Sequence, residues 1–264
     1  MLYYILLFIF TGLFSYLFTL TGLSLWFLFL WVPLSFVLAI ILLAILTLLF
    51  LAIGTLTKPT GPFRHFVLRN MCYVGLSLYR IKVVPVNREN LPKETFVIYA
   101  NHKSNYDPVI IYYAAKAACS AVGKKELFKN PFMKIVATAY GAVPMDREDD
   151  REAVKSMMIA IKQVKQGLSM IIFPEGGIKS RETELMVDLK PGAYKLATKP
   201  GAPIVPVTII GSSQISKKKF FQRKVVKVVF HKPIYKDEYQ NYNTTEIGKK
   251  VEEIINGEIT NEKN

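Results

Sequence analysis

The first 57 residues contain no Asp, Glu, Lys or Arg. Few structures can absorb so long an uncharged run. A membrane span needs about 20 apolar residues, so this segment has room for two, roughly residues 2–21 and 34–56. Gly22 and Pro33 bracket a turn holding Trp26 and Trp31, and tryptophans suit a membrane–water interface. One long tilted span with a flanking interfacial helix also fits the length. A secretory signal does not fit. Signals carry a basic n-region and an apolar stretch of roughly 7–15 residues, whereas no cation precedes Leu2 and the apolar run is far longer. A buried hairpin of a soluble protein is the weakest reading, because it must hide all of this surface. The expectation is a membrane-anchoring helical segment over residues 1–57, in form a two-helix hairpin.

Charge begins at Lys58. The remaining 207 residues carry all 34 cationic and all 20 anionic side chains, for a net +14. About 200 residues suit one domain with a sizeable core, here residues 58–264. The apolar content excludes disorder, and two cysteines exclude a disulfide scaffold. Cys72 and Cys119 form no CxxC or Cys/His cluster, which argues against a zinc site. They read as core thiols in a reducing compartment. Lys58, Arg64 and Arg69 follow the apolar segment at once. The positive-inside rule then places the basic domain in the cytoplasm, on an integral protein of the cell membrane. With two spans the N-terminus lies there as well. The net charge fits an anionic membrane phospholipid surface, each nearby cation adding about 1 kcal/mol. Lys217 to Phe221 mixes cations with aromatics and suits either an interfacial contact or a solvated hairpin tip. A membrane-tethered, non-enzymatic binder of nucleic acid or anionic lipid is compatible with the charge. It leaves the motifs below unexplained, and no nucleic-acid partner is expected.

Apolar runs predict strands over 81–86, 95–100, 142–145, 168–173, 204–210 and 225–230. Helical spacing predicts helices over 108–118, 130–140, 149–166, 192–198 and 245–255, the last capped by Thr244 or Thr245. The alternation gives an α/β class with a mostly parallel sheet flanked by helices. Pro203 and Pro206 predict that their strand lies at an edge or carries a bulge.

In open α/β sheets, ligands gather at the carboxyl ends of strands. After residues 95–100 comes Asn101-His102-Lys103-Ser104-Asn105-Tyr106-Asp107-Pro108. On one helix, His102 and Asp107 would stand about 140° apart. In a loop that turns into a helix they can meet. Asp107-Pro108 has the residue types of a helix cap and first turn. The plain reading is a cap and a polar loop residue. The functional reading is a dyad. Asp107 would hold the imidazole tautomer and stabilise the imidazolium, while His102 removes a proton from a hydroxyl. Ser104 is a rival nucleophile, but it lacks a GxSxG elbow.

Arg147 follows the next strand and offers a forked phosphate contact, or else a solvated pair with Asp149 or Asp150. After residues 168–173 comes Pro174-Glu175-Gly176-Gly177-Ile178-Lys179-Ser180-Arg181. Its glycines let backbone approach a ligand closely. Glu175 suits a hydroxyl, and Lys179, Ser180 and Arg181 a phosphate. An ordinary turn is the plain alternative. His65 and His231 have no ligand-spaced partner and read as structural, so no metal is expected.

Taken in this order, these blocks resemble the glycerolipid acyltransferase family. The blocks are His102-x4-Asp107, Gly141 to Arg147, Phe173-Pro174-Glu175-Gly176 and Pro203 to Val207. Lys124-Lys125-Glu126-Leu127 and Lys190-Pro191-Gly192 add to the likeness, which spans roughly residues 80–235. The resemblance implies a glycerol-3-phosphate acyltransferase-like domain. It implies His102 as base and Asp107 as its partner. Arg147, Glu175, Gly176, Lys179, Arg181 and Lys124 would bind the acceptor. The implied reaction moves a fatty acyl group from acyl-CoA or acyl-carrier protein to the sn-2 hydroxyl of lysophosphatidic acid. Phosphatidic acid results, for phospholipid biosynthesis. The thioester is a co-substrate, and no cofactor is implied. Two alternatives stay open: another lyso-lipid acceptor, and hydrolysis by the same dyad acting on water. In the family, Thr-Arg commonly follows the Phe-Pro-Glu-Gly run. Here Gly177-Ile178 stands there, which leaves the phosphate contact of this loop and the acceptor head group open.

Overall fold

The computed structural model describes residues 2–22, 28–217, 219 and 222–262. Trp26 lies outside these residues, as do Lys218, Phe220 and Phe221 of the cationic–aromatic run.

Helices α1 (Leu2–Thr19) and α2 (Leu28–Thr55) are both long and apolar enough to cross a membrane. They run antiparallel. Tyr3 Oη lies 2.8 Å from Thr47 Oγ1 at one end, and Phe18 stacks on Trp31 at 4.5 Å between centroids at the other. α1 buries none of its residues. Pro33 does not close the turn as expected, since it lies in the second turn of α2. There it removes one hydrogen bond of the helix without ending it.

Helix α3 (Pro62–Leu78) was not legible in the sequence. Arg64, one of the cations that follow the apolar segment, is buried in it. Its guanidinium donates to the carbonyls of Thr57, Thr138 and Ala139. The last two belong to the C-terminal turn of α5 (Pro131–Tyr140), where helix carbonyls lack partners and the dipole favours a cation.

The strands are β1 (Ile81–Val86), β2 (Val97–Ala100), β3 (Cys119–Lys124), β4 (Val143–Met145), β5 (Ser169–Ile172), β6 (Ile204–Ile210) and β7 (Lys224–Phe230). They form one seven-stranded sheet in the order β1-β7-β6-β2-β5-β3-β4. Every pairing is parallel except β6 with β7. Both faces are covered. Ile98 and Ala100 of β2 pack with α3 and with α4 (Asp107–Ala115), while Val97 and Tyr99 pack with α6 (Asp150–Lys165) and α9 (Thr244–Asn261). Strands buried on both sides read as continuous apolar runs, as β2 and β5 do. Short helices α7 (Lys195–Thr198) and α8 (Lys236–Tyr239) complete the α9 layer.

Three expectations change. β3, with the sequence CSAVGK, was missed because its small residues lack a strand signature. Its pairing to β5 and β4 makes it a strand. β6 is central, so the edge alternative falls, but the bulge alternative stands: residues 231–233 oppose only residues 205–206 between the Ile204–Ile234 and Val207–Phe230 pairs. The Ile204 N–H bonds the Ile234 carbonyl across a gap in the β7 ladder, which resumes at Val207. Alternation points the missing N–H of Pro206 into that gap, so no ladder bond is lost. Finally, α9 is capped by Asn243, whose side chain accepts from the Thr245 and Glu246 N–H groups. Glu246 answers to the Asn243 N–H.

Candidate active site

β2, β3, β4, β5 and β6 run in one direction, so their carboxyl ends share an edge of the sheet. At the end of β2, Asn101 is fully buried. Its amide donates to the Glu184 and Ile209 carbonyls and accepts from the Ile209 N–H, all at 2.8 Å. This pins the departing chain to β6, and the next residue starts from a fixed point.

That residue is His102. Its Nδ1 lies 3.1 Å from Asp107 Oδ2. The same oxygen accepts the backbone N–H groups of Lys103 and Ser104, each at 2.7 Å. Asp107 therefore fastens the loop behind it rather than capping α4 ahead of it, which corrects the expected cap. A carboxylate beside Nδ1 accepts the hydrogen bond of its N–H, so the proton stays on Nδ1 and Nε2 is the basic nitrogen. Nε2 makes no hydrogen bond among the described residues. The ring stacks on Phe173 at 4.1 Å between centroids, which fixes its plane. Ser104 is buried, and its Oγ accepts from the Tyr106 N–H.

Glu175, in the turn after β5, is fully buried. Its Oε1 accepts the His102 N–H at 2.8 Å, and its Oε2 accepts Lys103 Nζ at 2.7 Å. Burial raises the Glu175 carboxyl from its ordinary value, and the Lys103 ammonium and His102 N–H draw it back. Both Glu175 oxygens are thus spent on the loop that carries His102. Lys103 was missed in the sequence. Its partner lies 72 residues away, and no local pattern announces it.

The glycines behind Glu175 are crowded by two cations. A Cβ on Gly176 would lie 2.8 Å from Lys190 Cε and 3.3 Å from its Nζ, and Gly176 has a φ of +71°. A Cβ on Gly177 would lie 3.0 Å from Arg147 Nη1. Arg147 is half-buried, and burial lowers its pKa from the ordinary value, with Glu126 opposing weakly. Neither Arg147 nor Lys190 forms an ion pair among the described residues. Arg147 is partly desolvated without an ion-pair partner, and the exposed Lys190 lies beside the same turn, so this arrangement suits an anionic ligand. Lys190 was noticed only as part of a familiar tripeptide; the fold brings it to the loop. Lys179 and Arg181 are exposed on the same turn. Lys124, at the end of β3, pairs with Glu126 at 3.5 Å on the surface.

The site thus joins His102, Asp107 and Glu175 in one network, with Arg147 and Lys190 beside it. Among the described residues, no group of His, Cys, Asp and Glu has the arrangement of a metal site. Cys72 and Cys119 are free and buried, and burial pushes both thiols up to about 12. His65 Nδ1 and His231 Nε2 bond Tyr112 Oη and Thr208 Oγ1, at 2.7 Å and 2.8 Å.

The family model described as Acyltransferase matches residues 81–210. A 1-acyl-sn-glycerol-3-phosphate acyltransferase of Borreliella burgdorferi is 31% identical over 189 residues, covering 69% of this chain and 75% of the relative. The chain belongs to the glycerolipid acyltransferase family. Another member, the 1-acyl-sn-glycerol-3-phosphate acyltransferase of Bacillus subtilis, is 32% identical over 200 residues, covering 72% of this chain and 92% of its own. The fold is similar to the crystal structure of the 1-acyl-sn-glycerophosphate acyltransferase PlsC from Thermotoga maritima. That match has a TM-score of 0.68 and 25% identity, and covers 81% of this chain and 87% of that one. The matched family region contains both members of the dyad, Arg147, the Glu175 turn and Lys190.

Proposed function

We propose that the chain is a 1-acylglycerol-3-phosphate O-acyltransferase whose reaction runs through His102. The observation that carries this reading is the hydrogen bond that His102 Nδ1–H donates to Asp107 Oδ2, which leaves Nε2 free to act as a base. Nε2 takes the proton of the sn-2 hydroxyl as that oxygen attacks the thioester carbonyl. The tetrahedral adduct collapses, the C–S bond breaks, and the thiolate leaves with the proton from the imidazolium. Asp107 stabilises that imidazolium in passing. The acceptor is lysophosphatidic acid, and its phosphate lies between Arg147 and Lys190. The donor is acyl-CoA or acyl-carrier protein, and no cofactor takes part. Residues 1–57 anchor the enzyme in the cell membrane, with the domain from residue 58 in the cytoplasm.

The test feeds an acyl thioester to the purified full chain with and without lysophosphatidic acid. Thiol release that requires the acceptor, with phosphatidic acid as product, supports transfer. Release without it would make the chain a thioesterase, and no release would leave a binding protein. Single cysteines near residues 2 and 260 test the topology. Both should resist labelling from outside intact cells.

A further inference from the structure

Helix α5 has one broad apolar face, and the core covers only its C-terminal half. Ala139 is fully buried, and Val136 and Tyr140 pack on the core. In the N-terminal half of the same face Phe132, Met133 and Ile135 are 48%, 39% and 37% exposed. Leu127, in the 3-10 turn at Lys125–Lys129 that leads into the helix, is 51% exposed. Four large apolar side chains within nine residues, uncovered by the fold, mark a contact surface. Lys124, Lys125, Lys129 and Lys134 are interleaved with them, and all four are exposed. Lys124 and Lys125 have acidic neighbours, Glu126 and Asp146. Lys129 and Lys134 have no ion pair among the described residues.

The position of this face names its occupant. α5 packs against α2, one of the two membrane-length helices. Arg64 ties the last turn of α5 to Thr57, just beyond the end of α2. Phe63 of α3 packs edge-on against Phe50 of α2 at 5.8 Å and is itself 44% exposed, so the apolar surface continues across α3. An apolar face rimmed by lysines, at the level where a membrane helix ends, has the make-up of an interfacial amphipathic helix.

We propose that residues 127–135 form a second membrane contact, made by the catalytic domain itself. Leu127, Phe132, Met133 and Ile135 enter the interface of an anionic leaflet, and Lys129 and Lys134 pair with lipid phosphates. This segment leaves the carboxyl end of β3, the same sheet edge that carries His102. The contact therefore holds the mouth of the site against the leaflet containing the amphiphilic acceptor. The inference rests on the anchor reading of α1 and α2.

The test uses the full chain reconstituted in vesicles of phosphatidylcholine and phosphatidylglycerol. Cys72 and Cys119 are buried, so an added cysteine takes a fluorescent label selectively. Labels go on Met133→Cys and Ile135→Cys. Phe8→Cys reports the anchor, and Lys195→Cys reports the opposite layer of the domain. Quenching by lipid-borne nitroxides is then read. Quenching at residues 8, 133 and 135 but not 195 supports the contact. Weaker quenching at 135 in Lys129→Glu/Lys134→Glu supports the role of the lysines. Quenching at residue 8 with none at 133 or 135 overturns the contact and leaves the anchor standing. No quenching at residue 8 overturns the anchor reading, and the contact with it. Lipid-independent shielding at 133 and 135, by self-association or by an acidic carrier protein, assigns the face to that partner instead.

Discussion

Lys103 Nζ stands 2.7 Å from Glu175 Oε2, and neither side chain reaches solvent. The pair bolts the loop after β2 to the turn after β5. A buried ion pair is costly to assemble, and removing one partner is worse, because the other charge stays uncompensated. Lys103→Met should therefore lower stability by roughly 3–5 kcal/mol. Lys103→Met combined with Glu175→Gln should recover much of that loss. Chemical unfolding of the parent, Lys103→Met, Glu175→Gln and the double variant measures it. If Lys103→Met is as stable as the parent, the pair is not a brace.

His102→Ala should lower turnover by about 10²–10⁴-fold while the fold survives, because the imidazole is asked for a proton rather than for packing. Asp107→Asn should impair turnover through the tautomer. It should also cost roughly 1–3 kcal/mol of stability, since the Lys103 and Ser104 N–H groups lose a charged acceptor. Steady-state kinetics and thermal unfolding separate the two effects. A folded His102→Ala protein with parental turnover would remove the dyad.

Arg147→Ala and Lys190→Ala should each raise the KM for lysophosphatidic acid and leave the thioester KM little changed. Arg147→Lys should also weaken acceptor use, because it keeps the charge but loses the fork. Lys179→Ala and Arg181→Ala should have smaller effects, because the side chains that crowd Gly176 and Gly177 are those of Lys190 and Arg147. If Arg147→Ala moves only the donor KM, the phosphate lies elsewhere. If Arg147→Ala acts as expected and Lys190→Ala does nothing, only Lys190 drops out of the site.

Acid should destabilise the fold through its histidines. Burial lowers the pKa values of both His65 and His231 from the ordinary 6.5. Below that value the unfolded chain binds protons that the folded chain refuses. Stability then rises with pH in this window and falls as pH drops from about 6.5 toward the folded values. His231→Gln should flatten the slope between pH 6.5 and 5. An unchanged slope would show that His231 does not carry it.

What the sequence made legible was local. His102 and Asp107 lie five residues apart, and β2, β5 and α6 have clear apolar patterns. Long-range features stayed hidden. Lys103 and Glu175 meet only because β2 and β5 pair. β3 is a strand only because two neighbours make it one. Arg64 read only as part of a cationic flank, because nothing near it in sequence indicates the carbonyls of Thr138 and Ala139. Pro206 signalled an irregularity without saying which: the strand is central, and the proline nitrogen faces the gap where the β7 pairing slips by one residue.

The Arg64 contacts make the anchor a rigid mount rather than a tether. Leu51 of α2 is buried in the same core cluster as Val67, Ala139 and Ile98. Trimming the chain after Thr57 would strip the wall from one side of the enzyme and expose oily residues of α3 and α5. A shortened protein should therefore aggregate rather than behave as a soluble version of the parent. With residues 1–57 as the proposed anchor, this rigid joint would hold the site at one fixed height above the bilayer and keep it from swinging out to meet a substrate in bulk solution.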